Sequence, residues 1–367
     1  MRKSVLDERH RELGSKLDGD TWNDMAVPWN YSTDPYEEIA VMRTRAGLFD
    51  VSGLRVKHVK GPDAEAVVDH LVTCNCKAMK VGQAAIGSEL NDQGHIVDDV
   101  MISRDGPQHF RLTHGEGATP ENLAASAEGK DVSIEVDQDT HVVSLQGPRS
   151  LAVLDARSDA NLADLEYFHH TPCKLFGKDV IIGRGGYSGE RGYEIYCSAA
   201  DAVFLWDSIL ESGRSEGVMP CSWTALDLSR VEAALLFFPF DMPQGDTTPW
   251  EINYHWSVSE NGDYRGKAAL MAAKGKERFT QAGILVRHTE SMEIGDRIYM
   301  DGKDVGRVNS PAYSMYLMQS IALVHLDKPA AAMGTALEVE SGGKRYKANV
   351  VPTPFFDPMR LRTYGIK

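Results

Sequence analysis

Polar and apolar positions change places sharply between Asn91 and Ile102. A polar turn, Asn91-Asp92-Gln93-Gly94, leads into Val97, Val100, Met101 and Ile102, an apolar run with the character of a buried strand. Asp98 and Asp99 interrupt that run. Successive side chains of a strand point to opposite faces, so the two carboxylates cannot share a side. One can face water. The other faces whatever the inner side covers, where a carboxylate is costly unless something pairs with it.

The same reading extends along the chain. A helix near the start is followed by a loop rich in aromatics and prolines (Trp22, Pro28, Trp29, Tyr31, Pro35, Tyr36). A second helix is expected from Tyr36 to Ala46, closed by Gly47, then a strand through Leu48–Ser52. Leu54 to Thr73 then reads strand, Gly61-Pro62, helix, and His141 to Arg157 reads strand, Gly147-Pro148, helix. Proline suits a helix start because its missing N–H had no partner there. A unit that occurs twice points to two related α+β subdomains. Between the echoes lie strands at Ala84–Leu90, His95–Ile102 and His109–Thr113, then a loop from Gly115 to Asn122. Later come strands at Asp179–Arg184 and Tyr193–Cys197, and helices at Asp201–Ser212 and Ser222–Leu236. Beyond Lys274 the pattern turns to short strands with Asp301-Gly302 and Ser341-Gly342-Gly343 turns, a hairpin signal. Residues 276–367 therefore read as a small antiparallel β-barrel or sandwich.

A length of 367 residues, 42% of them hydrophobic and 25% charged, is that of an ordinary globular chain with room for two or three cores. The formal net charge of −14 argues against nucleic acid or an anionic membrane surface as a main partner. The charged N-terminus is not a signal peptide. Ala233 to Phe240, the longest apolar run, contains Pro239 and is too short to span a bilayer. The five cysteines are scattered and suit reduced thiols in the cytoplasm.

Several stretches carry candidate chemistry. The glycine-rich Gly183–Glu194 segment has Ser188 where a dinucleotide fingerprint needs glycine, and a strand follows instead of a helix. It reads as a glycine hairpin, with Glu194 on the following strand available to a ligand. Arg230 and Glu232 sit in an apolar helix, either as solvated charges or as an arginine fork that grips a carboxylate. The stretch Thr248–Trp256 holds Trp250, Trp256 and one carboxylate, Glu251, the ingredients for a methylated cation through cation–π attraction. His114, His169 and His170 lack metal-ligand spacing, and no metal set is expected.

Together these pieces resemble the aminomethyltransferase family, the T-protein of the glycine cleavage system and its folate-dependent relatives. The resemblance rests on motifs that run nearly the whole chain in the family's order. They include His10-x-x-Leu13-Gly14-x-Lys16, Gly47–Ser52, Gly94-x-Ile96-x-Asp98-Asp99, Gln146-Gly-Pro148, Gly186-Tyr-Ser-Gly-Glu190-x-Gly192-Tyr-Glu194, Arg230-Val-Glu232-Ala233, Gly266-Lys267-x-Ala269-Leu270 and Pro354-Phe355-Phe356. It implies an α+β chain in which two related subdomains and a C-terminal antiparallel β-barrel ring a central folate site. The expected division is 1–275 for the folate-binding region (about 1–48 with 139–240, and 49–138 with 241–275) and 276–367 for the barrel.

By position, the resemblance implies Asp99 as the catalytic aspartate, Glu194 as the carboxylate that pairs with the pterin ring, and Arg230, Tyr187 and Trp256 as cofactor-binding residues. The cofactor it implies is tetrahydrofolate, as one-carbon acceptor. The chain departs from the family's pattern at Ile86 and at His114-Gly115-Glu116-Gly117. It departs again at Val308–Ser314 and at Arg360, which stands near a family tyrosine. Ile86, His114, Trp250 and Glu251 are therefore the candidates for setting the donor substrate. The expected activity moves a methyl or methylene group from a small-molecule donor to tetrahydrofolate N5, as a demethylase. The alternatives are an aminomethyltransferase that uses a lipoylated carrier protein, a non-enzymatic folate-binding maintenance protein, and a folate module of a flavin oxidase.

Overall fold

The computed structural model describes residues 2–115 and 117–365. Two mixed layers and a barrel organise it. A six-stranded sheet runs in the order His170–Leu175, Lys178–Arg184, Gly192–Cys197, His141–Gln146, Ala46–Asp50, Val218–Pro220, with only the last pair parallel. A five-stranded antiparallel sheet has the order Ala84–Leu90, Ile96–Gly106, His109–His114, Arg55–Lys60, Ser133–Asp137. Each sheet buries one face against helices. Trp206, Leu205 and Ile209 of the helix Ala199–Ser212 pack on Leu48, Leu145, Tyr193 and Ile195. Val67, Val68 and Leu71 of the helix Ala64–Leu71 pack on Val59, Ile102, Phe110 and Leu112.

The two Gly-Pro units are the same local structure. Gly61 and Gly147 have φ of +133° and +130°. A Cβ at Gly61 would lie 2.5 Å from the Asp131 carbonyl oxygen, and one at Gly147 would lie 2.4 Å from that of Met42. Only glycine admits both the dihedral and the approach.

Strands between Thr280 and Val351 close into a six-stranded antiparallel barrel. Its hairpin turns at Asp301 and Gly302, with φ of 52° and 78°, the dihedrals that a two-residue turn between twisted strands requires. An apolar cluster that includes Leu90, Ile96, Val231, Met242, Ala312, Ile321 and Phe355 seats the barrel on the rest of the chain.

Polar side chains complete the closure. The buried Arg43 guanidinium donates to Glu190 at 3.1 Å and to Glu232 at 2.9 Å, and lies 4.1 Å from the Phe356 ring centroid. Ser314 of the barrel donates to the other Glu232 oxygen. Arg362, near the C-terminus, donates to both Glu190 oxygens and to the Arg43 carbonyl.

Three local expectations are corrected. The helix Pro35–Thr44 stops before Gly47, which lies inside the strand Ala46–Asp50; a Cβ there would meet Cys221 Sγ at 2.5 Å. The segment read as a loop from Gly115 to Asn122 already contains a helix, Thr119–Ser126, with Pro120 in its first turn; Glu116 lies outside the described residues. The helix expected to reach Leu236 ends at Glu232, and Ala234 follows at φ 51°.

Candidate functional site

Residues directly opposite in an antiparallel ladder share a face. Ser88 stands opposite Asp99, Ile86 opposite Met101, Met101 opposite Thr113, and Ser103 opposite Arg111. Asp99, Ile86, Thr113 and Arg111 therefore lie on the side of the five-stranded sheet turned away from its helices. In the other sheet Tyr193 and Ile195 point into the helix-backed core, so Glu194 and Tyr196 point the opposite way. The two free faces meet. Arg111 lies 4.2 Å from the Tyr196 ring centroid, and His170 Nε2 is 2.8 Å from Asp105 Oδ1.

Asp99 occupies this inner face half-buried. Burial, and then the charge of neighbouring Asp98, push its carboxyl up to about 7. At neutral pH it therefore divides its time between acid and base, the condition for moving a proton efficiently. Glu194 accepts a hydrogen bond from the Tyr196 hydroxyl at 3.0 Å through Oε2. Burial raises its pKa against the opposing effects of Tyr196 and Arg111.

Asp98 points the other way and is fully buried. It accepts from the Thr119 backbone N–H at 3.3 Å and from the Thr119 hydroxyl at 2.5 Å. Glu89 Oε1 is 2.7 Å from that hydroxyl, and Asn122 donates to Glu89 Oε2 at 3.1 Å. His114 belongs to this hidden cluster, with Nδ1 3.4 Å from Asp98 and Nε2 3.1 Å from Lys57. It lies on the opposite face from Asp99. The chain passes close over Asp98 at Gly117, where a Cβ would fall 2.1 Å from the carboxylate carbon. His114 and Gly117, at the two ends of that departure, therefore line the back of the aspartate strand.

Tyr187 donates its hydroxyl to the Leu236 carbonyl. Burial raises its phenol well above the ordinary value; Arg230 opposes this, while Asp241 and Asp99 add to it. Tyr254 is raised in the same way, by burial and then by Asp99 and Asp241, with Arg360 opposing. The Asp99 charge thus reaches both Tyr187 and Tyr254. Tyr254 lies in the aromatic stretch Thr248–Trp256, and only the fold brings it to the aspartate.

Arg230 is buried rather than solvated. It donates through Nε to Asp227 at 2.8 Å, and through Nη1 to Asp241 at 2.7 Å and to Ser310 of the barrel at 2.8 Å. Glu232 is likewise buried and paired, so the solvated alternative for this helix is overturned.

The aromatic stretch divides. Trp256 is 57% exposed and its ring centroid lies 5.2 Å from that of Tyr254. Trp250 donates its indole N–H to the Leu270 carbonyl at 2.8 Å and lines a separate cavity of about 430 Å³ with His255, Lys274 and Glu277. Glu251 is buried and accepts from Arg278 at 2.8 Å and from the Thr248 N–H at 2.9 Å. Its charge is already matched, so these residues do not form one cage around a cation.

Comparison with known proteins places the whole chain. Residues 6–261 match the GCVT N-terminal domain, and residues 280–357 match the glycine cleavage T-protein C-terminal barrel domain. The chain is 41% identical, over 98% of its length and 97% of the relative's, to the heme-dependent oxidative N-demethylase gamma subunit of Ectopseudomonas mendocina (strain ymp). It is 31% identical to an aminomethyltransferase of Thermotoga neapolitana, over 97% of this chain and 98% of that one. The crystal structure of glycine cleavage system aminomethyltransferase T from Bartonella henselae superimposes with a TM-score of 0.89 at 26% identity, covering 97% of this chain and 98% of that one. No helix among the described residues is long and apolar enough to cross a membrane. The chain belongs to the aminomethyltransferase family, the T-proteins of glycine cleavage and their relatives.

Proposed function

We propose that this enzyme transfers a one-carbon unit from a small donor to N5 of tetrahydrofolate, as the folate arm of a demethylation. The observation that carries this reading is the pair of carboxylates on facing sheets, Asp99 with a pKa near neutrality and Glu194 with Oε1 free of protein donors among the described residues. Ionised Glu194 can accept parallel N–H bonds from the amino-pyrimidinone edge of a pterin. Asp99 then takes or returns the proton at the folate amine as the new bond to carbon forms. Holding the two partners in line supplies much of the remaining acceleration. Tyr187, Arg230 and Trp256 complete the cofactor surface in this reading. Ile86, on the aspartate's own face, is the strongest of the donor-setting candidates.

The relative from Ectopseudomonas favours the demethylase version and a partner subunit. Oxidative loss of an N-methyl group, with the two electrons taken by an oxidant on that partner, leaves the carbon at the oxidation level of formaldehyde, which tetrahydrofolate takes up as a methylene bridge with release of water. The second version, aminomethyl transfer from a lipoylated carrier protein with release of ammonia, is favoured by the aminomethyltransferase relatives at 30–31% identity. Incubation with tetrahydrofolate and either formaldehyde, a panel of methylated donors, or an aminomethylated lipoyl carrier separates them by the folate product. Methylene-folate formed without carrier and faster than the uncatalysed condensation in a protein-free control supports the first version, and carrier-dependent ammonia release supports the second. Failure to bind tetrahydrofolate at all overturns both.

A further inference from the structure

We propose that His58, His109 and Asp105 form a binding site for a transition-metal ion, with Zn²⁺ as the ion of choice. The three ligand atoms lie within 4.8 Å of one another, on a half-buried part of the five-stranded sheet. No sequence spacing announces the site, because its residues come from three strands. His58 stands opposite Arg111 and His109 opposite Lys60, which makes the two histidines diagonal neighbours on one face. Asp105 is the extra residue of a β-bulge, where the register between Ile96–Gly106 and His109–His114 shifts. A bulge re-aims a side chain, and this one turns the carboxylate toward the histidine pair.

The chemistry of the cluster suits a metal. His58 Nδ1 and His109 Nε2 lie 2.9 Å apart, so a proton or a cation must stand between them. Two imidazole nitrogens on a tetrahedral zinc lie about 3.3 Å apart, given Zn–N bonds near 2.05 Å, so a small rotation of either ring admits the ion. The far nitrogen of His58 is 3.3 Å from Asp137 Oδ2, and Thr140 donates to the same carboxylate. A carboxylate behind a ligating imidazole fixes its tautomer and strengthens it as a donor.

Asp105 already accepts from Arg111 through both oxygens and from His170 through Oδ1, which leaves a lone pair on Oδ2. Two imidazoles and one carboxylate make a three-ligand set with a fourth position for water. That set discriminates against Mg²⁺ and Ca²⁺, which take oxygen ligands.

The test uses the full chain, stripped with a chelator and titrated with Zn²⁺ by calorimetry and with Co²⁺ by visible absorption. One equivalent is expected to bind, with a tetrahedral or five-coordinate cobalt spectrum. His58→Gln and His109→Gln should each weaken binding at least tenfold without changing the melting temperature in chelator. The native protein supplies a check independent of folding in the variants: one equivalent of Zn²⁺ should protect His58 and His109 from diethyl pyrocarbonate, read by peptide mass. Absence of saturable binding, affinity unchanged in both variants, or modification of the two histidines unaffected by Zn²⁺ overturns the site.

Discussion

The Thr119 hydroxyl has one hydrogen and two carboxylate neighbours, Asp98 at 2.5 Å and Glu89 at 2.7 Å. It can donate to one of them only, so the other must bring its own proton. Glu89 is the acid, since burial and then the Asp98 charge push it from 4.5 up to about 8. The chain of bonds then runs from the Glu89 carboxyl to the Thr119 oxygen and from the Thr119 hydroxyl to Asp98. Glutamine at this position copies that state, with its amide N–H donating to Thr119 and its oxygen accepting from Asn122. The sign of the effect follows from linkage. Between 4.5 and about 8 the folded state holds a proton that the unfolded state has released, so the native chain loses stability as pH rises through that window. The interval corresponds to roughly 5 kcal/mol at its upper limit. Glu89→Gln should therefore match the native protein near pH 5 and exceed it increasingly up to pH 8, with a constant advantage above. Melting temperatures of the two proteins across pH 5–9 measure the gap. A gap that does not change with pH refutes the proton count at Thr119.

Three further outcomes test the site and the frame. Asp99→Asn should keep tetrahydrofolate binding but lower turnover on the order of 100-fold or more, and abolish any limb of the pH–rate profile near 7; near-normal turnover would remove Asp99 from the mechanism. Glu194→Ala should weaken tetrahydrofolate about tenfold or more, as expected for hydrogen bonds to a charged group, and calorimetry that finds the affinity unchanged would remove the pterin role. Arg43→Ala should destabilise the fold by about 3–5 kcal/mol in chemical denaturation, because it leaves Glu232 buried without its guanidinium and takes one of the two guanidiniums from Glu190; a loss below 1 kcal/mol would contradict the buried pairing.

Short-range chemistry made much of this structure legible. Glycine at 61 and 147 marks the paired units because its positive φ is a local demand, although the carbonyls that crowd it, of Asp131 and Met42, come from far along the chain; Asp301-Gly302 marks a barrel hairpin through its own dihedrals. Strand alternation separated Asp98 from Asp99 before any coordinates. What stayed hidden depends on distant partners. Arg230 and Glu232 were equally consistent with a wet helix face until Asp241, Ser310, Arg43 and Ser314 arrived beside them. Glu251 had the look of a ligand carboxylate because Arg278, its partner, lies well along the sequence. Tyr254 sits in an aromatic stretch, but nothing in that stretch points to Asp99. His58 and His109 fall in unremarkable strands, and only the ladder register sets them side by side.

The buried arginine at position 43 has a consequence for how the chain is made. Its charge leaves the ribosome before Glu190, Glu232, Phe356 and Arg362, which follow at wide intervals along the chain. Domains fold in order during synthesis, N-terminal parts first. The Arg43 cluster cannot be completed before Arg362 is free. Until then the Arg43 charge keeps water as a partner. Loss of Arg362 would therefore be felt 319 positions upstream, at the Arg43 carbonyl, and at Glu190 as well.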